Sequence, residues 1–358
     1  MKRIMSVNGS SVYEYATTGP ARTLICSTPS SRALLTDPTL CGTPYRRHSR
    51  NAVAQALHAL TATDTSDLST TPADQFATLN VLRGGLSFGI EDALGNVLQA
   101  DPAVSFVGTE RPPDGPIELT YDRWELADAS VLVVGDIIGT GSTLARVLTE
   151  AVERAAKRGR PLQSILVFTI GSRLGVQRVL AALAATPAIA STYVQSQPSL
   201  TVVALEALYD LPSPEAPPSF PHFPFDLLRA PAAAAPEYEH HRLSTPGSLF
   251  ERCAIYDGGV RAFTPADHTA ERSAWWASVT DRKLPLAEVA TRTAGLETYR
   301  KPLEQWKTTV PWSTQISHDE AAAIHRLGQK AIAFADDLTT DEYARDHLVA
   351  KGHTGTRT

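Results

Sequence analysis

The chain has 358 residues, enough for one α/β domain of about 200 residues and further structure. Lys and Arg number 33 against 38 Asp and Glu, a formal net charge of −5, so the basic footprint of a nucleic-acid binder is missing. Cys26, Cys41 and Cys253 have no metal-ligand spacing and make an odd set, no run approaches the ~20 apolar residues of a membrane span, and MKRIMSVNGSSVYEY has no apolar leader; a cytoplasmic chain is the expectation.

The first 35 residues read as short strands, with a hairpin turn at Val7-Asn8-Gly9-Ser10 and a strand over 24–26. A helix follows at HSRNAVAQALHAL, then a Ser/Thr/Asp-rich loop over 62–74. From there strands and helices alternate. Strands are predicted at 76–82, 104–107, 131–134, 165–170 and 200–205, and helices at 86–98, 142–157 and 174–183, with a polar loop over 108–124. That order predicts an α/β fold, a mainly parallel sheet with helices on both faces, in a domain over 1–210. Residues 211–244 are rich in proline and alanine and read as a strap or linker that docks through Phe220, Phe223 and Phe225. Residues 245–358 read as mainly helical, in the stretches DHTAERSAWWASV, LAEVATRTAGLETYRKPLEQW, HDEAAAIHRLGQKAIAFADDL and DEYARDHLVAK.

The segment VLVVGDIIGTGSTL, residues 131–144, carries the chemistry. Four apolar residues make a buried strand, Asp136 follows, and Gly139-Thr140-Gly141-Ser142-Thr143 turns into a helix. Glycines let the backbone approach an anion, and the free N–H groups of a first helical turn favour a phosphate. The hydroxyls of Thr140, Ser142 and Thr143 add donors. A phosphate will not sit against Asp136, so that acid faces sugar hydroxyls or a magnesium ion. The glycines are not followed by Gly-Lys-Ser/Thr, and Gly-x-Gly-x-x-Gly is absent, which sets aside two other phosphate-binding loops. A second strand-to-helix turn places Arg83-Gly84-Gly85 at a sheet edge, where an arginine and exposed amides make an anion site.

Residues 131–144 resemble the phosphoribosyl pyrophosphate (PRPP) motif of type I phosphoribosyltransferases. Leu82-Arg83-Gly84-Gly85-Leu86 resembles the Leu-Arg-Ala-Gly-Leu of the uracil-type members. Leu35-Thr36-Asp37-Pro38-Thr39 with Tyr45-Arg46-Arg47 takes the place of their early basic segment, and Val107-Gly108-Thr109-Glu110-Arg111 that of their Val-Gly-x-x-Arg. The resemblance covers roughly residues 33–208. It implies the type I phosphoribosyltransferase fold and PRPP-dependent transfer of a phosphoribosyl group to a small-molecule acceptor, with release of pyrophosphate. It implies that Gly139, Thr140, Gly141, Ser142 and Thr143 hold the 5-phosphate, and that Arg83, Gly84, Gly85 and Arg111 hold pyrophosphate. Asp136 and Arg111 are the implied catalytic residues, Mg2+ enters with PRPP rather than on side chains, and 109–123 is the loop that shields the reacting ribosyl centre from water.

The sequence departs from the family in two places. Gly135 replaces the first of two acids that hold ribose hydroxyls, which also admits a non-catalytic PRPP- or nucleotide-binding regulator on the same fold. The glycine-rich loop that reads the uracil ring is missing after the last strand, so the implied acceptor is not plain uracil. The strap and the C-terminal helices are read as a different acceptor wall or as the contact of a homodimer or higher homo-oligomer. His240-His241, His318 with His325, and Cys253 complete no metal or nucleophile set, and Trp275-Trp276 reads as packing.

Overall fold

Two antiparallel strands open the chain, β1 (Lys2–Val7) and β2 (Ser10–Thr18). The expected turn joins them, with Asn8 and Gly9 at φ 50° and 75°, the paired positive values of a tight hairpin. The computed structural model describes all residues except 19–20, 64–66, 83, 113–114, 127, 187–198, 212–230, 246–248, 250–252, 258–259, 284, 290–294, 313 and 349–358. After β3 (Ala21–Ser27) come two helices, α1 (Pro29–Thr36) and α2 (Gly42–Thr61). The first was not expected from the sequence. Its signal is local: Thr28 and Ser31 form a reciprocal capping box, and Pro29 opens the first turn.

The alternating region gives β4 (Phe76–Leu82), α3 (Ile90–Leu98), β5 (Ala103–Glu110), β6 (Glu118–Arg123), β7 (Val131–Ile138), α4 (Ser142–Lys157), β8 (Ser164–Ser172), α5 (Arg173–Ala184) and β9 (Ser199–Tyr209). A short strand, β10 (Pro231–Ala234), follows. All ten belong to one sheet, in the order β1-β2-β3-β9-β8-β7-β4-β5-β6, with β10 on β9. The six strands from β3 to β5 in that row are parallel, and the hairpin, β6 and β10 add antiparallel edges. The central strands are buried on both faces, as their unbroken apolar runs require: Val131, Leu132, Val133 and Val134 of β7 and Ile165 to Ile170 of β8 are all buried.

Three expectations need correction. The 108–124 loop holds β6, an edge strand paired only with β5, whose polar residues reflect exposure on both faces. The helix expected from residue 86 starts at Ile90, because Gly84–Ser87 is a 3-10 turn and Gly89 sits at φ 58°. The last strand runs on to Tyr209 through a bulge at Glu206, which is fully buried at φ 67°. Residues 212–230 of the proline-rich strap, with Phe220, Phe223 and Phe225, lie outside the described residues, while its remainder to residue 244 is structured, as β10 paired into the sheet and a helix over Pro236–Ser244.

Beyond β10 come α6 (Pro236–Ser244), α7 (Pro265–Asp281), α8 (Leu303–Lys307), α9 (His318–Asp337) and α10 (Thr340–Leu348). The long helix expected over 286–306 is interrupted: Gly295 takes φ 64°, Leu296–Arg300 is a 3-10 turn, and Pro302 precedes α8. A second core gathers here around Trp275 and Trp276, edge to face at 4.8 Å, with Tyr299, Trp306, Trp312 and Tyr343. A buried ion pair, Arg242 to Glu239 at 2.8 Å, is closed by the Tyr299 hydroxyl donating to Glu239 at 2.9 Å. Among the described residues no helix is long and apolar enough to cross a membrane.

Gly328 lets α9 lie directly on the Tyr299 ring: a Cβ there would meet ring carbons at 2.3 Å. Alanine is favoured over glycine in a helix by about 1 kcal/mol, yet overpacking a buried site costs about 1–3 kcal/mol. Gly328→Ala is therefore expected to lower the urea midpoint. A raised midpoint would refute the close packing of α9 on Tyr299.

Candidate functional site

Strand order locates the site. Counting from β4, the strands β4, β5, β7, β8 and β9 lie in the row β5-β4-β7-β8-β9. The connections from β4 and from β7 leave in opposite directions, and an α/β sheet opens a crevice at the C-terminal ends of such a pair. Here β4 and β7 pair from Phe76↔Val131 to Leu79↔Val134 and no further, while β7 continues beside β8 to Ile138↔Gly171. The turns after β4 and β7 therefore flank one gap. They are the two turns singled out in the sequence.

The turn after β7 is shaped by glycine contacts. Gly141 sits at φ 77°, where a Cβ would lie 2.2 Å from the Gly175 carbonyl oxygen, and a Cβ on Gly175 would lie 2.2 Å from the Gly139 carbonyl oxygen. The loop is thus pressed against the first turn of α5. The Ser172 hydroxyl fastens it, donating to the Gly139 carbonyl at 2.5 Å and accepting the Gly175 N–H at 2.8 Å as the cap of α5. On the other side α4 begins at Ser142 with a glycine cap, no capping side chain and no acid in its first turn. Its leading N–H groups and the positive end of its dipole are left for an anion. The Arg178 guanidinium donates to the Thr140 carbonyl and the Ser142 hydroxyl, both at 2.9 Å, and sets a positive charge on the rim. Sequence reading found residues 139–143 but missed Ser172, Gly175 and Arg178. The Ser-x-x-Gly spacing after β8 was a usable signal for the cap, and Arg178 had none.

Asp136, two residues into the C-terminal half of β7, is 8% exposed. Its Oδ1 accepts the Ile137 N–H at 2.8 Å, and no cation pairs with it among the described residues. Burial pushes its carboxyl up to about 7, only partly opposed by that one N–H. Such a group binds a cation or a pair of hydroxyl donors readily, because either replaces the water it has lost. No cluster of three metal-ligating side chains is found among the described residues.

The neighbouring Gly135 is enforced by packing. A Cβ at this position would sit 2.5 Å from Phe88 Cβ and 2.7 Å from Phe88 Cγ, with Ile90 at 3.0 Å. Phe88 is fully buried. The turn after β4 folds back over β7 here, since a Cβ on Gly85 would lie 3.1 Å from the Gly135 carbonyl oxygen. The space that a side chain at residue 135 would need is therefore filled by an aromatic ring. Below the turn, Thr78 and Asn80 of β4 both donate to Glu91 Oε1 at 2.7 Å, which ties the start of α3 to the strand.

The remaining sequence candidates are more scattered. Gly84 and Gly85 lie in the 3-10 turn at the crevice, and Arg83 lies outside the described residues. Arg111 is exposed just past β5, on the outer side of β4, and pairs with no acid among the described residues. The segment 109–123, expected as one shielding loop, is largely the β5–β6 hairpin, with Thr109↔Leu119 and Glu110↔Glu118 in register.

Overpacking at Gly135 is expected to cost about 1–3 kcal/mol, so Gly135→Ala should lower the urea midpoint, while Gly95→Ala, where a Cβ meets nothing nearer than 3.7 Å, should leave it unchanged or raise it. Equal midpoints for the two variants would disprove the Phe88 contact.

No family model matches this chain, and no curated protein matches it. Among solved structures it is similar to a hypoxanthine phosphoribosyltransferase from Staphylococcus aureus, at 15% identity and a TM-score of 0.26, over 36% of this chain and 65% of that one. It is also similar to a purine phosphoribosyltransferase from Pyrococcus horikoshii, at 16% identity and a TM-score of 0.26, over 45% of this chain and 86% of that one. The hypoxanthine-guanine phosphoribosyl transferase of L. donovani gives 16% identity and a TM-score of 0.26, over 44% and 83%. This chain thus spans just under two thirds of the Staphylococcus protein. Likenesses this weak carry no argument, and the reading of the fold rests on the chain's own strand order.

Proposed function

We propose that this chain transfers a 5-phosphoribosyl group from PRPP to a nucleophile on a small molecule and releases pyrophosphate. The observation that carries the reading is the pairing, on one strand at the switch point, of an uncapped α4 N-terminus with a buried carboxyl that has no cation. One end suits a phosphate and the other a sugar with a cationic centre. Gly139, Thr140, Gly141, Ser142 and Thr143 hold the 5-phosphate, with Arg178 adding charge at the rim. Asp136 accepts a ribose hydroxyl and stabilises the positive charge that develops as the bond to pyrophosphate breaks. Arg83, Gly84, Gly85 and Arg111 take the pyrophosphate end. Magnesium, carried in with PRPP, supplies charge neutralisation there. The protein's own contribution is to position the two partners and keep water away.

The uracil-type likeness stays part of this reading for residues 33–208, with an acceptor other than plain uracil. The strap and the C-terminal helices are proposed as acceptor wall or homo-oligomer contact, and the cytoplasm as location. A second reading, a PRPP- or nucleotide-binding regulator without catalysis, is favoured by Phe88 in the space of a second acid.

Calorimetry of PRPP with magnesium tests the proposal. Wild type is expected to bind, and Asp136→Asn to bind about ten- to a hundredfold more weakly, the cost of losing hydrogen bonds to a charged group. The pH dependence has a definite sign. Below about 7 the Asp136 carboxyl is mostly protonated, accepts a hydroxyl only weakly through its carbonyl oxygen and carries no charge to attract a cation; above it the carboxylate is present. The ratio of wild-type to Asp136→Asn affinity should therefore grow from pH 6 to pH 8. A flat ratio would remove Asp136 from the site, and no binding by wild type would end the transfer reading and leave the regulator only a nucleotide as ligand. Binding without pyrophosphate release across an acceptor panel would favour the regulator.

A further inference from the structure

A second cleft lies away from the switch point. It holds about 460 Å3, within the range of small-ligand sites, and none of its lining comes from β4, β7 or α4. Its walls join the two halves of the chain: Arg3 from β1, Arg32 from α1, Glu237, His240 and His241 from α6, and Glu320 from α9. One side is apolar, built from Ile316, Ala323 and Ile324.

The charges of this cleft are held apart. Two arginines and two glutamates face one space, and no ion pair joins any of them among the described residues. Arg32 hydrogen-bonds the Ser27 hydroxyl at 2.5 Å and the Gly9 carbonyl at 3.1 Å, and its charge also acts on the buried Glu206 behind the cleft. Glu237 accepts the Tyr13 hydroxyl at 2.8 and 3.0 Å. Glu320 is occupied by the cap of α9, accepting the Ser317 N–H at 2.8 Å and hydroxyl at 2.9 Å. Arg3 hydrogen-bonds the Tyr13 hydroxyl, and its charge also reaches Glu320 without a direct ion pair. His241 is pushed below the usual histidine range by burial and then by the charges of Arg32 and His240, so cations converge on that corner. Opposite charges that line one cleft without direct ion pairs leave room for a ligand that bears both signs.

We propose that this cleft binds a zwitterionic amino acid with an apolar side chain. Its carboxylate lies toward Arg3 and Arg32, its ammonium toward Glu237, and its side chain on Ile316, Ala323 and Ile324. This site is independent of the phosphoribosyl reading and stands or falls without it.

The test is calorimetry on the full chain with leucine and phenylalanine, against 4-methylpentanoate, which lacks the amine, and 3-methylbutylamine, which lacks the carboxylate. At least one amino acid is expected to bind at millimolar concentration or better, and each leucine analogue about tenfold more weakly than leucine or not at all, the loss of one charge-assisted contact. Arg3→Gln should weaken the amino acid at least about fivefold and leave the amine analogue unaffected. Glu237→Gln, which can still accept the Tyr13 hydroxyl, should weaken it similarly. Circular dichroism melts of both variants separate lost binding from lost fold. The proposal is overturned if neither amino acid binds, if either analogue binds as well as leucine, or if both folded variants bind as wild type does.

Discussion

One hydroxyl group decides the shape of the crevice. Ser172 caps α5 and holds the Gly139 carbonyl, so the turns that end β7 and β8 are locked to each other. The approach leaves no room for a side chain at Gly141 or Gly175. Everything chemically interesting about residues 139–143 follows from that contact. It turns the backbone through positive φ at Gly141 and starts α4 without a capping side chain for its first N–H groups. Arg178, one helical turn beyond Gly175, can then reach the Thr140 carbonyl and the Ser142 hydroxyl.

The other side of the gap is governed by packing against β7. Phe88 and Ile90 take the space above Gly135, beside Asp136. The raised proton affinity of Asp136 comes from burial, since one N–H does not replace a shell of water. A deficit of partners at Asp136 and a surplus of donors at α4 sit at opposite ends of the same short turn. Under the proposed reading a sugar phosphate brings hydroxyls to one and charge to the other.

The parts visible in the sequence are those encoded by neighbours along the chain. The run Val131–Val134, the following acid and the Gly-Thr-Gly turn lie within one segment, and buried parallel strands write their apolar runs directly. The hairpin at Asn8-Gly9 was legible for the same reason. What the sequence hid depends on distant residues. Gly135 reads as a lost acid until Phe88 is placed over it, and Gly175 reads as a plain helix residue until Gly139 lies against it. Strand β6 was hidden by its polarity, because an edge strand exposed on both faces carries no alternation. Helix α1 was hidden by its shortness, although Thr28 and Ser31 spell its cap.

The β9 edge is shared by two partners. β3 pairs with it as far as Leu205, and β10 takes over from Ala207 to Tyr209. Tyr209 and Pro231 are therefore register partners, so the chain that leaves the sheet at one returns to it at the other. Both ends of residues 212–230 are thus anchored in one ladder, and the join between the sheet and the helices that follow is set by the pairing of β10 on β9.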